Sequence, residues 1–464
     1  MFLLRSLLLA ALLSGASPAA PLALGLLPHA TVDYGQGPRR SLEELLAEER
    51  KASAARLEAL RPEVSSLLGS LRSLAGSKGG DQRVALLRAN LVALGPEITP
   101  LLVTVLDPPK SATSEDRALA VHTAVVLEQM PLEAVLDELI AIAESGGSPG
   151  RSLAVRVLGA SHAPKRIGPI LSHLFHDEAD LRAPALRALC RLGGPDSERT
   201  LTEVLTLADS ISPENVENRN LVAEALAALA ETARLGLPVT PGQLTFLRTV
   251  TVSRAARELV VGLIDFASAL PADTLTAADT ERFIALVTDR LVSREDRIRL
   301  LDAMPRMHLV FERGMDKRFA PLLAESNPTL VEAGLICLAR FGDKGAKKDL
   351  MKPYKDAIAE KREDPGPLEA RGGILVRLGE YAEAILDYKR AIKLYADQKK
   401  SPYAANAAYT GWARALCLDG DTRSAAKALS DSSLSTVQLR ALAKDPDFAA
   451  LVADDKNNGV LRLP

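Results

Sequence analysis

Four short stretches of this 464-residue sequence place reactive side chains at spacings that chemistry uses. Gly146-Gly147-Ser148-Pro149-Gly150 fits G-x-S-x-G, in which a serine nucleophile stands on a strained strand-to-helix turn. Ser424 and Lys427 fit S-x-x-K, where the lysine activates the serine. His173, His176, Asp177 and Glu178 set two imidazoles at i, i+3 beside carboxylates, donors suited to a metal ion. Asp455-Lys456-Asn457-Asn458-Gly459 begins as a calcium loop does but lacks the closing Glu. Each lacks the context its chemistry needs. No strand pattern precedes Gly146, the companion motifs of Ser424 and Lys427 are missing, and the histidines fit a solvated helix end. No H-E-x-x-H string occurs among only six histidines, and Gly342, Gly345 and Lys347 have the wrong spacing for a phosphate-binding loop. The expectation is a non-enzyme with no catalytic residue, no metal ligand and no cofactor.

The elements that would carry such residues are helical. Hydrophobic residues make up 47% of the chain and charged residues 25%, a globular balance. Aromatics are only 4%, so Leu, Ala and Val carry the apolar mass and favour helix-on-helix packing over a sheet. A formal charge of −2 offers no basic stripe, and no nucleic-acid partner is expected. Cys190, Cys337 and Cys417 each sit within an apolar helical pattern and are expected to be buried, inert thiols.

The first residues point to export. Arg5 precedes an apolar run from Ser6 to Leu13, and small residues follow to Ala20, the order of a secretory signal peptide. Cleavage after Ala16 or after Ala19 satisfies the small-x-small rule. Ala16 also stands where a lipoprotein would carry its cysteine. The rival reading is an uncleaved membrane anchor over 6–27, which Pro18 and Pro21 interrupt. The following segment, 28–40, is rich in Gly and Pro. Ser41 and Glu44 form a capping box for a helix that Pro62 is expected to break or restart, and 76–80 reads as a glycine hinge.

From Asp81 the chain repeats itself. An Arg recurs at 83, 117, 151, 182 and 219, at intervals of 34, 34, 31 and 37 residues. A Pro recurs at 96, 131, 164 and 195, at intervals of 35, 33 and 31. Two markers keeping one period indicate stacked helical hairpins. Residues 179–209 are the clearest unit: Leu181, Ala185, Ala188, Leu189 and Leu192 make one apolar face, Gly193-Gly194-Pro195 a stop, and Leu201, Val204, Leu205 and Ala208 a second face. This unit resembles a HEAT repeat of the short kind seen in phycobilin-lyase-like arrays, and 327–350 resembles another. Residues 239–327 are helical but too irregular to count. One unit cannot cover its own second face, so neighbours must stack on it.

Residues 368–394 closely resemble a tetratricopeptide repeat. Gly372 and Leu375 take the small and large positions of its first helix, Gly379 and Tyr381 form the turn, and Ala384, Tyr388 and Ala391 follow on its second. Arg371 departs from the pattern, where Leu is usual. A second, weaker copy spans 407–429 and carries Tyr409, Ala413, Leu416, Gly420 and Ala425. The resemblance implies peptide binding on the concave face of the first helices, where Glu369, Arg377, Thr410 and Arg414 are the candidate contacts. The Lys and Asn of carboxylate-clamping members are replaced by Glu369 and Gly373, so that specificity is not implied.

The expected fold is all-α, an α-α superhelix in which a HEAT-like solenoid is followed by tetratricopeptide repeats. Its parts are a signal peptide over 1–20, a linker and N-terminal helices over 21–80, HEAT-like repeats over 81–355, tetratricopeptide repeats over 365–430 and a helical cap over 431–464. The expected function is a non-catalytic scaffold or adaptor, periplasmic or secreted, for a protein or peptide partner, meeting a membrane only through an uncleaved N-terminal segment. The alternative that the HEAT resemblance implies is a lyase-like enzyme or regulatory subunit acting on a partner-bound prosthetic group. A cavity gathering His173, His176 and acids would favour that alternative.

Overall fold

The computed structural model describes residues 42–74, 81–209 and 216–461. The expected signal peptide, the segment over 28–40, the capping residue Ser41 and the hinge over 76–80 lie outside the described residues. Two compact units are distinguished, 1–58 and 59–464. The described part of the first is the opening half of helix Leu42–Leu74, with Glu43 and Glu44 in its first turn, where acids favour a helix start. Pro62 does not break this helix as expected. Pro62 is exposed, where water can supply the hydrogen bond that proline cannot.

The second unit is an all-α superhelical fold. The described residues form 23 α-helices and no strand. Alternate helices make a continuous layer, beginning at Asp81, Ser114, Ser148, Arg182, Val216, Val260, Arg294, Pro328, Gly366 and Asn406, and each packs on the next member. Their starts are separated by 33, 34, 34, 34, 44, 34, 34, 38 and 40 residues. The stretch that resisted counting therefore keeps the 34-residue period after one long step. That step contains the 19-residue helix Val216–Arg234 and an added 3-10 turn at Arg254–Arg257. A second layer carries the intervening helices, among them Pro164–Asp177, Pro195–Asp209, Pro241–Val252 and Ala277–Thr288.

Both sequence markers have physical causes. Pro164, Pro195 and Pro241 each open a second-layer helix, where proline's missing N–H costs nothing. The arginines tie units together. Arg151 Nε donates to the Ala143 carbonyl (3.0 Å) and its guanidinium meets Glu178 at 3.2 Å. Arg182 Nε likewise donates to the Phe175 carbonyl (3.4 Å) and pairs with Glu217 at 2.6 Å. Each arginine satisfies an orphan carbonyl at the end of the preceding helix and holds an acid further along the chain. Arg297 repeats the device with the Val287 carbonyl (2.6 Å) and Glu325. Arg83 and Arg117 are exposed.

The core is divided along the chain. One cluster of buried side chains runs from Val64 to Ala346. A second joins Ile336, Leu350 and Met351 to Leu368, Ile374 and Leu375, so apolar packing continues from helices Pro328–Arg340 and Lys344–Glu360 to helix Gly366–Leu378. A third, including Leu416, Phe448 and Leu451, seats the C-terminal segment on helix Asn406–Asp419. Among the described residues no single helix is long and apolar enough to cross a membrane.

Candidate functional site

The four residues expected to contact a peptide have separate surroundings. Arg377 is held by Glu332 (2.9 Å) and Asp302 (3.0 Å), both on the preceding units. Arg414 reaches forward to Asp445 (2.8 Å) and Asp447 (3.1 Å) and lies over the Phe448 ring. Thr410 bonds back to the Asn406 carbonyl at 2.8 Å. Glu369 is half-buried beside Tyr395; burial raises its carboxyl above the ordinary value, against the Tyr395 hydrogen bond, and nearby Asp364 raises it further. The two arginines thus fasten neighbouring units together. Asp387, which the sequence reading passed over, explains the departure at Arg371: the two form a bidentate pair across the hairpin, with Asp387 almost fully buried.

The strings that mimic catalytic motifs have structural roles. Gly146 ends helix Leu136–Ser145 and Gly147 caps helix Ser148–Leu158. The glycines wrap the Asp107 carboxylate, which accepts a hydrogen bond from the Gly147 amide at 2.9 Å. A Cβ on Gly150 would stand 2.3 Å from that carboxylate. Ser148 is exposed at the helix start, with no strand before it. The Ser424 amide donates to Asp421, and Lys427 is exposed. The C-terminal loop is organised by Asp454, which accepts from Thr422 (2.6 Å), Asn457 (2.7 Å) and the Lys456 amide (3.0 Å). Those hydrogen bonds hold its carboxyl down at about 2.

The two histidines diverge. His173 pairs with Asp177 at 2.7 Å on an exposed face, while His176 turns to Glu203 at 3.3 Å. A cavity of about 330 Å3 contains His176, Arg182, Glu203 and Glu217 but not His173. Among the described residues no group of three potential ligands converges as a metal site would require. All three cysteines are free and buried, and burial pushes the Cys190 thiol up to about 12 and the Cys417 thiol to about 11. Thiols held so far above neutral pH are poor nucleophiles.

A groove that no local motif announced lies between residues 128 and 243 and takes its lining from both layers. Its larger cavity, about 580 Å3, is bounded by the inter-helix turns at 159–164, 192–194 and 235–240. A neighbouring one of about 330 Å3 is lined by Arg156, Arg187 and Arg191. Arg191 and Thr232 line both. Glu128, at the end of helix Ser114–Leu127, is the shared acid. Arg156 holds it with two hydrogen bonds, one through Nε and one from Nη2 at 3.1 Å. Arg191 stands only within ion-pair range of it, at 3.4 Å. Two guanidinium groups therefore share one carboxylate, while Arg187 is paired with Glu224 at 2.6 Å and Glu231 lines the smaller cavity. Ser161, 8% exposed, lines the larger cavity with a hydroxyl that has no hydrogen-bond partner. A buried hydroxyl without a partner is costly unless something supplies one. Sequence reasoning missed these residues because they come from four helices, each unremarkable by itself. No family model matches the chain, and no curated protein matches it.

Proposed function

We propose that this chain is a non-catalytic scaffold, periplasmic or secreted, that holds a protein or peptide partner along a HEAT-like array continued by a tetratricopeptide-like pair. The observation that carries this reading is the groove across successive units. It combines about 580 Å3 of space, an arginine that shares its carboxylate with a second one and an unpartnered hydroxyl, and the reactive strings elsewhere serve as caps and turns. The tetratricopeptide-like packing is supported by Tyr388, whose ring lies against both Gly372 and Gly411, small residues facing a large one across the hairpins. Export rests on the residue order over 1–20.

A photo-crosslinking amino acid in place of Arg187, on the groove, tests the scaffold. A discrete protein adduct is expected there in the envelope or secreted fraction, and none from a control at Val437, 74% exposed on the C-terminal segment. Adducts no different from the control would overturn the reading. Recovery of the full chain in the cytosol alone would remove its export half.

A further inference from the structure

Two polar groups on the larger cavity have unmet demand, and both can donate, the hydroxyl being able to accept as well. The Ser161 hydroxyl is buried without a partner. The Arg191 side chain is 21% exposed, and its only polar contact among the described residues is the 3.4 Å ion pair with a carboxylate that Arg156 already occupies. The two other buried polar side chains in the wall are satisfied: Gln243 accepts from the Thr240 amide (3.1 Å) and donates to the Cys190 carbonyl (3.2 Å), and Thr232 donates to the Ala228 carbonyl (2.8 Å). One added acceptor meets both, and beside a guanidinium that shares its carboxylate the preferred acceptor is an anion. Leu192, Leu237 and Pro238 give the wall an apolar part, beside Glu128, His162, Thr232 and Thr240, and Leu235, 54% exposed, stands at its edge. An anionic head on an aliphatic body fits this lining.

We propose that this cavity seats the free C-terminus of a peptide partner. The terminal carboxylate bonds Arg191 and Ser161, and the last side chain, aliphatic, packs on Leu192, Leu237 and Pro238. The preceding residues leave across Arg191 and Thr232 into the second cavity, whose wall carries Arg156, held by Glu128, Arg187, held by Glu224, and the acid Glu231. That continuity argues for a chain over a free aliphatic acid, which has the same head but nothing to lay in the second cavity. Glu128 keeps its charge compensated when Arg191 turns to the ligand, because Arg156 still holds it. The proposal rests on the scaffold reading and assigns its partner a chemistry.

The test is fluorescence anisotropy on the full-length chain, with labelled octapeptide pools randomised except for a C-terminal Leu, supplied as free acids and as amides. The free-acid pool is expected to bind, and the amide pool to bind about tenfold or more weakly, since a charge-assisted hydrogen bond is lost. Arg191→Gln should weaken the free-acid pool about 10- to 100-fold and leave the amide pool unchanged, and Ser161→Ala should weaken the free-acid pool by a smaller factor. Unlabelled octanoate should not displace the peptide at comparable concentration. Equal binding of the acid and amide pools, or an Arg191→Gln chain that binds as the parent does, would overturn this site and leave the scaffold reading standing. Binding of octanoate without binding of either pool would assign the cavity to a free acid and overturn the peptide. Absence of all binding would overturn the site, while the crosslink at position 187 reports on the scaffold separately.

Discussion

The Tyr388 ring and the backbone of Gly411 meet so closely that a Cβ at Gly411 would lie 2.3 Å from the ring's Cζ. The same ring meets Gly372, where a Cβ would lie 2.9 Å away. Tyr388 is buried on helix Tyr381–Asp397, wedged between the first helix of its own hairpin and that of the next. Gly411→Ala must push the ring out of its well, an overpacking expected to cost about 1–3 kcal/mol in urea denaturation. Adding Tyr388→Leu should recover part of that loss, because the two changes share one volume. Independent, additive costs would show that the ring is not the obstacle.

This contact marks the line between what the sequence shows and what it hides. Gly372 and Tyr388 are legible because they take the small and aromatic positions of the tetratricopeptide pattern that 368–394 resembles. The arginine and proline periods are legible by their recurrence, although their causes are not: a carbonyl at a helix end for Arg182, a helix's first position for Pro164. Residues 239–327 defied counting because one 44-residue step interrupts a 34-residue period. Arg191 and Ser161 were invisible as a pair. Each has an ordinary neighbourhood along the chain, and only stacking of separate units brings them to one cavity.

Asp387 tests whether the ion pair or the packing matters in the C-terminal hairpin. Its carboxylate accepts two hydrogen bonds from Arg371, one of them at 2.6 Å from Nε. Asp387→Ala leaves a partly buried guanidinium without its partner, and a loss of about 3–5 kcal/mol is expected. Arg371→Leu combined with Asp387→Leu, which restores the usual apolar residue at 371, should return most of it. A double variant no more stable than Asp387→Ala would mean that the pair also fixes the hairpin's geometry.

Ser148 and Gly150 separate nucleophile from turn. Ser148→Ala changes an exposed side chain at a helix start and should alter stability by less than about 0.5 kcal/mol. Gly150→Ala drives a methyl group into Asp107 and should cost about 1–3 kcal/mol. Asp107→Ala, which removes the cap on the Gly147 amide, should cost about 1 kcal/mol. Thermal melts of the three variants check the order. A serine substitution as damaging as the glycine one would reopen the question of what Ser148 does.

Asp279 gives the chain an acid-sensitive joint. Burial works against its ionisation, yet the hydrogen bonds from Arg248 (2.9 and 3.0 Å), the Thr276 amide and the Thr276 hydroxyl, with the Arg248 charge, outweigh it. The carboxyl is therefore held below its ordinary value. A depressed carboxyl stabilises the fold fully above its unfolded value, about 3.9, and that contribution is lost as pH falls through the lower folded value. Asp279 also completes the capping box of helix Ala277–Thr288 and binds it to helix Pro241–Val252. Asp279→Asn should lower stability at pH 7 by about 2–4 kcal/mol. The gap between parent and variant should narrow as the pH drops below about 4, because protonation does to the parent what the substitution has already done. Urea denaturation at pH 7 and at pH 3 measures both gaps, and a gap independent of pH would mean that the carboxylate's charge contributes nothing to this joint.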